Sequence, residues 1–276
     1  MSPTRPTSDA RSRSARGDTR SSGEGTRSAT DRRSGSGGGS RAGSDREAAS
    51  ASRDGGRAYD AGPFLPSRGG LAAHRRAAAD CRGCPLHEDA TQTVFGAGPE
   101  SARILLVGEQ PGDQEDRQGE PFVGPAGRLL RRAAEEAGLD MDEAYVTNAV
   151  KHFKFVRPPG GGKRRIHKAP ELREVAACHP WLRAELRLVR PEIVVALGAT
   201  AGKALLGSSF RVTKDRGALL PLPGDDEDQD GRPHVVATLH PSAVLRADDR
   251  EGAYAGLVAD LRVVAEALAG DGGEGS

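Results

Sequence analysis

The chain has 276 residues, of which 29% are charged and 36% hydrophobic, and its formal net charge of +1 hides strong local clustering. No run approaches the ~18 apolar residues of a membrane span, and the N-terminal segment lacks the apolar centre of a secretory signal. These features argue against a membrane protein and predict a soluble, cytoplasmic one.

The first 66 residues are rich in Ser, Gly, Arg and Asp, with twelve Arg against eight acids, and their only aromatics are Tyr59 and Phe64. Such a segment buries too little apolar area to offset its ordering entropy. Residues 1–66 therefore read as a disordered tail, a solvated linker rather than a nucleic-acid tether. Residues 271–276 read as a disordered C-terminus, and 67–270 suit a single domain.

Four short apolar runs, 104–107, 145–149, 193–197 and 235–239, have the length and composition of buried parallel strands. Helical patterns separate them. Over 128–137, Leu129, Leu130, Ala133, Ala134 and Ala137 share a face, and Gly138 ends the pattern as a C-cap would. Pro170 suits the first turn of the next helix, with Leu172, Val175, Ala176, Leu182, Leu186 and Val189 inward. Pro180 falls inside that helix and is expected to kink or break it. Further helices are expected over 199–206 and 254–269. The alternation predicts an α/β domain with a central, mostly parallel four-stranded sheet flanked by helices.

Ligands in such sheets bind at the carboxyl ends of the strands. Three of those ends carry polar or turn-forming residues: Gly108-Glu109-Gln110-Pro111-Gly112, Asn148, and His240-Pro241-Ser242. Two charged runs stand out. From Lys151 to Lys168 there are seven Lys or Arg and no acid, a composition suited to phosphates, with His167 among the cations. The acidic run Asp225-Asp226-Glu227-Asp228-Gln229-Asp230 reads as a solvated surface loop.

The three cysteines are Cys81, Cys84 and Cys178. An odd count in an intracellular chain argues against a disulfide framework. Cys81-Arg82-Gly83-Cys84 has the spacing for two thiolates to hold one metal. Cys178 is a candidate third ligand, and His152 or His179 a fourth. Three Cys and one His fit structural zinc or an iron–sulfur cluster equally.

Several motifs occur together: Gly108-Glu109-Gln110-Pro111-Gly112-Asp113, Pro121-Phe122-Val123-Gly124-Pro125-Ala126-Gly127, Thr147-Asn148-Ala149-Val150-Lys151-His152 and His240-Pro241-Ser242. In this order they resemble the uracil-DNA glycosylase superfamily, and within it the family 4-like group with an iron–sulfur cluster. Lys163-Arg164-Arg165-Ile166-His167 resembles the loop of the UdgX-type enzymes, which excise uracil and become covalently linked to DNA through the loop histidine. The resemblance covers roughly 75–265. It implies the uracil-DNA glycosylase fold, a [4Fe–4S] cluster held by Cys81, Cys84, His152 and Cys178 (zinc being the alternative), and a monomer acting on uracil-containing DNA, preferably single-stranded, near the nucleoid.

The chemistry so implied gives each residue a role. Uracil must leave the base stack to be reached. Phe122 is the stacking platform unless it is an ordinary core phenylalanine. Asn148 can donate to uracil O4 and accept from N3–H, a pattern cytosine cannot match, unless it caps a turn. Gly108 and Gln110 complete the uracil pocket. Glu109 is the carboxylate that faces the sugar cation, and Asp113 is either a second carboxylate or a helix cap. His240 donates to the departing uracil or merely starts a helix. His167 is the nucleophile toward C1′, against the plainer reading of a surface histidine. Arg165 binds a flanking phosphate or holds the loop closed, and Lys163, Arg164 and Lys168 contact DNA phosphates.

Overall fold

A computed structural model describes residues 59–158, 160, 164–224 and 233–270. The acidic run 225–230, Lys163 and most of the 1–66 segment lie outside the described residues. The boundary at 66 is nevertheless corrected. The backbone N–H groups of Asp60 and Ala61 donate to Gly83 and Ala177, and Tyr59, Phe64 and Leu65 pack on the core. Two aromatics and a buried alanine supply apolar contact that the composition of the segment as a whole conceals.

In chain order the elements are α1 (Leu71–Ala78), α2 (Leu86–Asp89), β1 (Ile104–Gly108), α3 (Asp113–Gln118), α4 (Pro125–Glu136), β2 (Tyr145–Asn148), β3 (Phe155–Val156), β4 (Ile166–His167), α5 (Leu172–Val189), β5 (Ile193–Leu197), α6 (Gly198–Leu206), α7 (Val212–Asp215), β6 (Leu219–Pro221), β7 (His234–Thr238), α8 (Pro241–Arg246) and α9 (Arg250–Gly270). The main sheet has the order β2-β1-β5-β7-β6. β2, β1, β5 and β7 run parallel, as expected, and β6 adds an antiparallel edge, so the sheet has five strands rather than four. Leu219–Pro221 is too short and too exposed to read as a strand by itself; pairing with β7 makes it one.

β1 and β5 are buried at every position, because helices cover both faces of the sheet. One apolar layer packs Trp181, Leu182 and Ala177 of α5 against Leu105, Val107 and Val194. The other packs Leu130, Ala133 and Ala134 of α4 and Leu257 and Leu261 of α9 against Leu106, Val195 and Val236. α4 starts at Pro125 and ends in a Schellman motif: Gly138, at φ 85°, donates to Glu135, and Leu139 to Ala134. α5 runs through Pro180 without a break. The carbonyl left without its helical donor is that of Ala176, which is exposed and can be hydrated. Leu172 and Ala176 face outward, and Cys178, Trp181 and Glu185 take the inward positions.

The chain moves from β1 outward to β2, then crosses back to place β5 on the other side of β1. This reversal opens a crevice beyond the carboxyl ends of β1 and β5, where open α/β sheets place their ligands.

Candidate active site

A cavity of about 580 Å³ lies at this crevice. Its lining comes from the ends of the parallel strands (Glu109, Gln110, Asn148, Thr200 and His240), from the turn bearing Phe122, and from Ile166 and His167 of β4. Six of the sequence-predicted residues thus meet in one place: Glu109, Gln110, Phe122, Asn148, His167 and His240. Gly108 stands at their back. A methyl group there would come within 2.3 Å of Asn148 Oδ1 and 2.7 Å of the Phe122 ring, so the absence of a side chain lets those two groups close in.

Asn148 pairs with Gly108 in the β1–β2 register and is 2% exposed. Its Oδ1 is buried without a hydrogen-bond partner. An orphaned buried acceptor costs about 1–3 kcal/mol, which an incoming N–H would recover. Phe122 has φ 58°, a left-handed conformation uncommon for a bulky residue, with a strain of order 1–3 kcal/mol. That backbone turns the ring over the pocket, where it stacks on His240 at 29° with centroids 6.5 Å apart. Gly127 permits the turn, since any Cβ there would fall 1.6 Å from the Phe122 carbonyl oxygen.

The His240 ring is fixed by its own helix start. Its Nδ1 accepts from the Ser242 backbone N–H at 3.1 Å and lies 2.8 Å from the Ser242 hydroxyl. A backbone N–H can only donate, so the proton of the neutral ring is on Nε2. Burial, with the nearby His167 and Arg246 adding to it, pushes the His240 pKa down to about 4. His240 is thus both the helix cap and a neutral N–H donor in the cavity.

Glu109 follows β1. One carboxylate oxygen accepts a short hydrogen bond from the Thr200 hydroxyl in α6, and the other lies 3.4 Å from His167 Nε2. Gln110 is 7% exposed and straps the β3–β4 hairpin. Its Oε1 accepts from the Lys154 N–H at 3.0 Å, which sets the orientation of the amide. Its Nε2 then reaches the carbonyls of Lys154 and Lys168, at 3.2 and 3.0 Å, and His167 Nε2 at 2.9 Å. Two N–H groups cannot face each other at that distance, so His167 Nε2 carries a lone pair.

Three cations of the basic run, Lys151, Lys154 and Arg165, are neutralised within the fold. Arg165 places its guanidinium over Phe153 and Phe155 and pairs with Asp113 and Asp116, each at 2.5 Å. It holds the loop closed and offers no free face to a phosphate. Asp113 does not line the cavity, which corrects its placement among the catalytic groups. It begins α3, and although burial works against it, the Arg165 and Arg117 guanidiniums hold its pKa below the usual range. Lys154 pairs with Glu171 and Glu174. Lys151 is wholly buried, with Nζ 2.5 Å from Glu185 Oε2 and 2.7 Å from the Asn148 carbonyl oxygen. Arg164 and Lys168 are exposed, while Lys163 is outside the described residues.

The cysteines are buried, free of disulfides and part of one core. Cys81 Sγ accepts from Trp181 Nε1 and Cys178 Sγ from the Lys151 N–H, both at 3.3 Å. Burial pushes the Cys178 thiol up to about 12. Burial likewise pushes His152 down to about 4, leaving it neutral. Buried thiols with N–H donors and a neutral imidazole have the donor chemistry of a metal or cluster site. The four-residue ligand set is not assembled, however: among the described residues no three His, Cys, Asp or Glu converge as metal ligands. His152 Nε2 instead contacts the Thr93 hydroxyl at 2.9 Å.

Sequence reasoning missed Thr200, Glu115 and Arg246, all of which line the cavity. A polar residue in the turn after a buried strand was the available signal for Thr200. For the other two there was none, since one sits in an acid-rich helix and the other among surface charges.

The family model described as the uracil DNA glycosylase superfamily matches residues 95–262. The chain is 38% identical to the type-4 uracil-DNA glycosylase of Thermotoga maritima over 171 residues, 62% of this chain and 81% of that protein. It is 36% identical to that of Sulfurisphaera tokodaii over 170 residues, 60% and 71% of the two chains. With that of Archaeoglobus fulgidus it shares 35% identity over 169 residues, 60% and 78%. The match begins ahead of β1, ends within α9 and takes in every residue that lines the cavity, and by it the chain belongs to the uracil-DNA glycosylase superfamily.

Proposed function

We propose that this protein excises uracil from DNA, taking single strands in preference, and that His167 then bonds to C1′ of the sugar. The observation that carries uracil recognition is the unpartnered Oδ1 of Asn148, an acceptor suited to uracil N3–H. Phe122 would stack on the base. As the C1′–N1 bond breaks, negative charge gathers on uracil, and the Nε2–H of neutral His240 donates to it. Positive charge gathers on the sugar beside the Glu109 carboxylate, whose geometry Thr200 maintains.

The lone pair of His167 Nε2 would attack C1′ and form a C–N bond, and the imidazolium so made would release its Nδ1 proton to solvent. Imidazole bound in this way is a poor leaving group, so the enzyme would turn over once. Similarity to the UdgX-type loop and the position of His167 in the cavity lining support this step. The second reading is ordinary turnover, in which Glu109 takes a proton from a water that attacks C1′. It is favoured by the Gln110 contact, which occupies the His167 lone pair and must break before attack.

Uracil-containing single-stranded DNA incubated with the protein and run on a denaturing gel separates the two. A heat- and SDS-stable shifted band supports the covalent reading. Uracil release with no such band supports turnover, and no uracil release at all overturns both.

We further propose that Cys81, Cys84 and Cys178, with His152 turned away from Thr93, hold a [4Fe–4S] cluster with a structural role, zinc being the alternative. Iron and sulfide analysis of the purified protein decides between them. The expected setting is a cytoplasmic, nucleoid-associated monomer.

A further inference from the structure

Glu115 is the one carboxylate of α3 that turns toward the cavity. It is 8% exposed, and both of its oxygens are engaged by backbone N–H groups: Oε2 by Gly112 at 3.1 Å and Oε1 by Gly124 at 2.9 Å. These two amides belong to different walls of the pocket. Gly112 closes the turn that carries Glu109 and Gln110, and Gly124 closes the turn that carries Phe122. Both positions are glycine where the carboxylate makes its approach. A methyl group would stand 2.6 Å from Oε2 at Gly112 and 3.0 Å from Oε1 at Gly124. No ordinary helix cap needs this arrangement, since one carboxylate serves the starts of α3 and α4 together.

We infer that Glu115 is a positioning residue that clasps the Glu109–Gly112 turn to the Phe122–Gly124 turn, and so sets the distance between the carboxylate facing the sugar and the ring facing the base. The inference rests on the reading of the cavity as a uracil-excising site. Its neighbours on α3 complete the scheme: Asp113 and Asp116 hold Arg165 of the His167 loop. A single short helix therefore fixes three separate segments of the pocket. An ionised carboxylate is suited to the task because it offers only acceptors to two converging donors.

Glu115→Gln replaces one acceptor oxygen by an NH2 that faces a backbone N–H, donor against donor. Misplacement of reacting groups by an ångström lowers rates by about 10²-fold. In Glu115→Gln, the single-turnover rate constant for uracil release should fall by that order, while Kd for the same DNA stays within about threefold. Glu115→Asp, which keeps both acceptors on a shorter stem, should recover part of the loss.

Amide hydrogen exchange supplies a readout independent of activity. In Glu115→Gln, peptides spanning 109–112 and 122–124 should both exchange faster, with β1 and β5 unchanged. Loosening of both turns together with the loss of rate supports the clasp. Loosening of one turn alone, or of neither, overturns it, as does an undiminished single-turnover rate despite two loosened turns. If the unsubstituted protein releases no uracil, the functional reading fails, and the exchange pattern by itself decides whether Glu115 joins the two turns.

Discussion

His167 Nε2 and Gln110 Nε2 stand 2.9 Å apart, and this contact selects the imidazole tautomer. Because Lys154 fixes the amide orientation, the glutamine nitrogen is the donor, and the lone pair of His167 faces that nitrogen. The lone pair that the proposed attack requires is thereby present on Nε2, and it is freed only when the Gln110 contact breaks. His167→Ala removes the nitrogen proposed to attack. It should abolish the SDS-stable band while uracil release remains measurable, because the vacated space admits water. An undiminished band on the denaturing gel would assign the bond to another residue.

Thr200→Val leaves the shape of α6 intact and deletes one hydrogen bond to Glu109. Such bonds to a charged group contribute about 1.5–3 kcal/mol, so the rate constant for uracil release should fall by roughly tenfold to a hundredfold. Single-turnover kinetics with saturating enzyme measure this. A Thr200→Ser variant, which restores the hydroxyl, should recover most of the rate.

His240 makes stability depend on pH with a definite sign. Its folded pKa of about 4 lies below the ordinary 6.5, so the neutral form is the one folding favours. From about pH 6.5 down to about 4 the unfolded chain takes up a proton that the folded chain refuses, and roughly 3 kcal/mol of stability is lost across that window. Denaturant titrations at pH 7 and pH 5 should show the loss, and His240→Asn should make that part of the profile shallower, leaving the share that His152 contributes. Equal slopes for the two proteins would refute the assignment.

The Lys151–Glu185 pair is wholly buried and also engages Thr147, Tyr145 and the Gly96 N–H. Lys151→Met would strand the Glu185 charge, at a cost of about 3–5 kcal/mol. Adding Glu185→Gln removes that charge and keeps an acceptor for Gly96, so the double variant should be the more stable of the two. Thermal melts of both proteins test the order.

Much of the site was legible beforehand. β1 and β5 are apolar runs, β2 and β7 are apolar over part of their length, and such runs announce themselves without knowledge of their partners. Glu109, Asn148 and His240 stand at their ends, where an α/β sheet presents ligands, so their convergence followed from the strand pattern. The left-handed Phe122 and the accommodating Gly127 were not legible, since the strain belongs to a turn defined by close packing. β6 and the β3–β4 hairpin were missed because their partners, not their own residues, make them strands.

The charges mark the division most clearly. The sequence by itself determined that cations crowd around His167 and that acids crowd α3, and its motifs determined the family. Only the tertiary structure decided which of those charges remain available. Lys151, Lys154 and Arg165 read like phosphate contacts, yet each is neutralised by carboxylates from α3 or α5, and Lys151 is buried outright. The physical reason is that a charge withdrawn from water needs a partner within a few ångströms, and the chain brings that partner from a distant segment. The same holds for Glu115, whose two glycine partners come from separate turns and meet only when the sheet and its helices have packed.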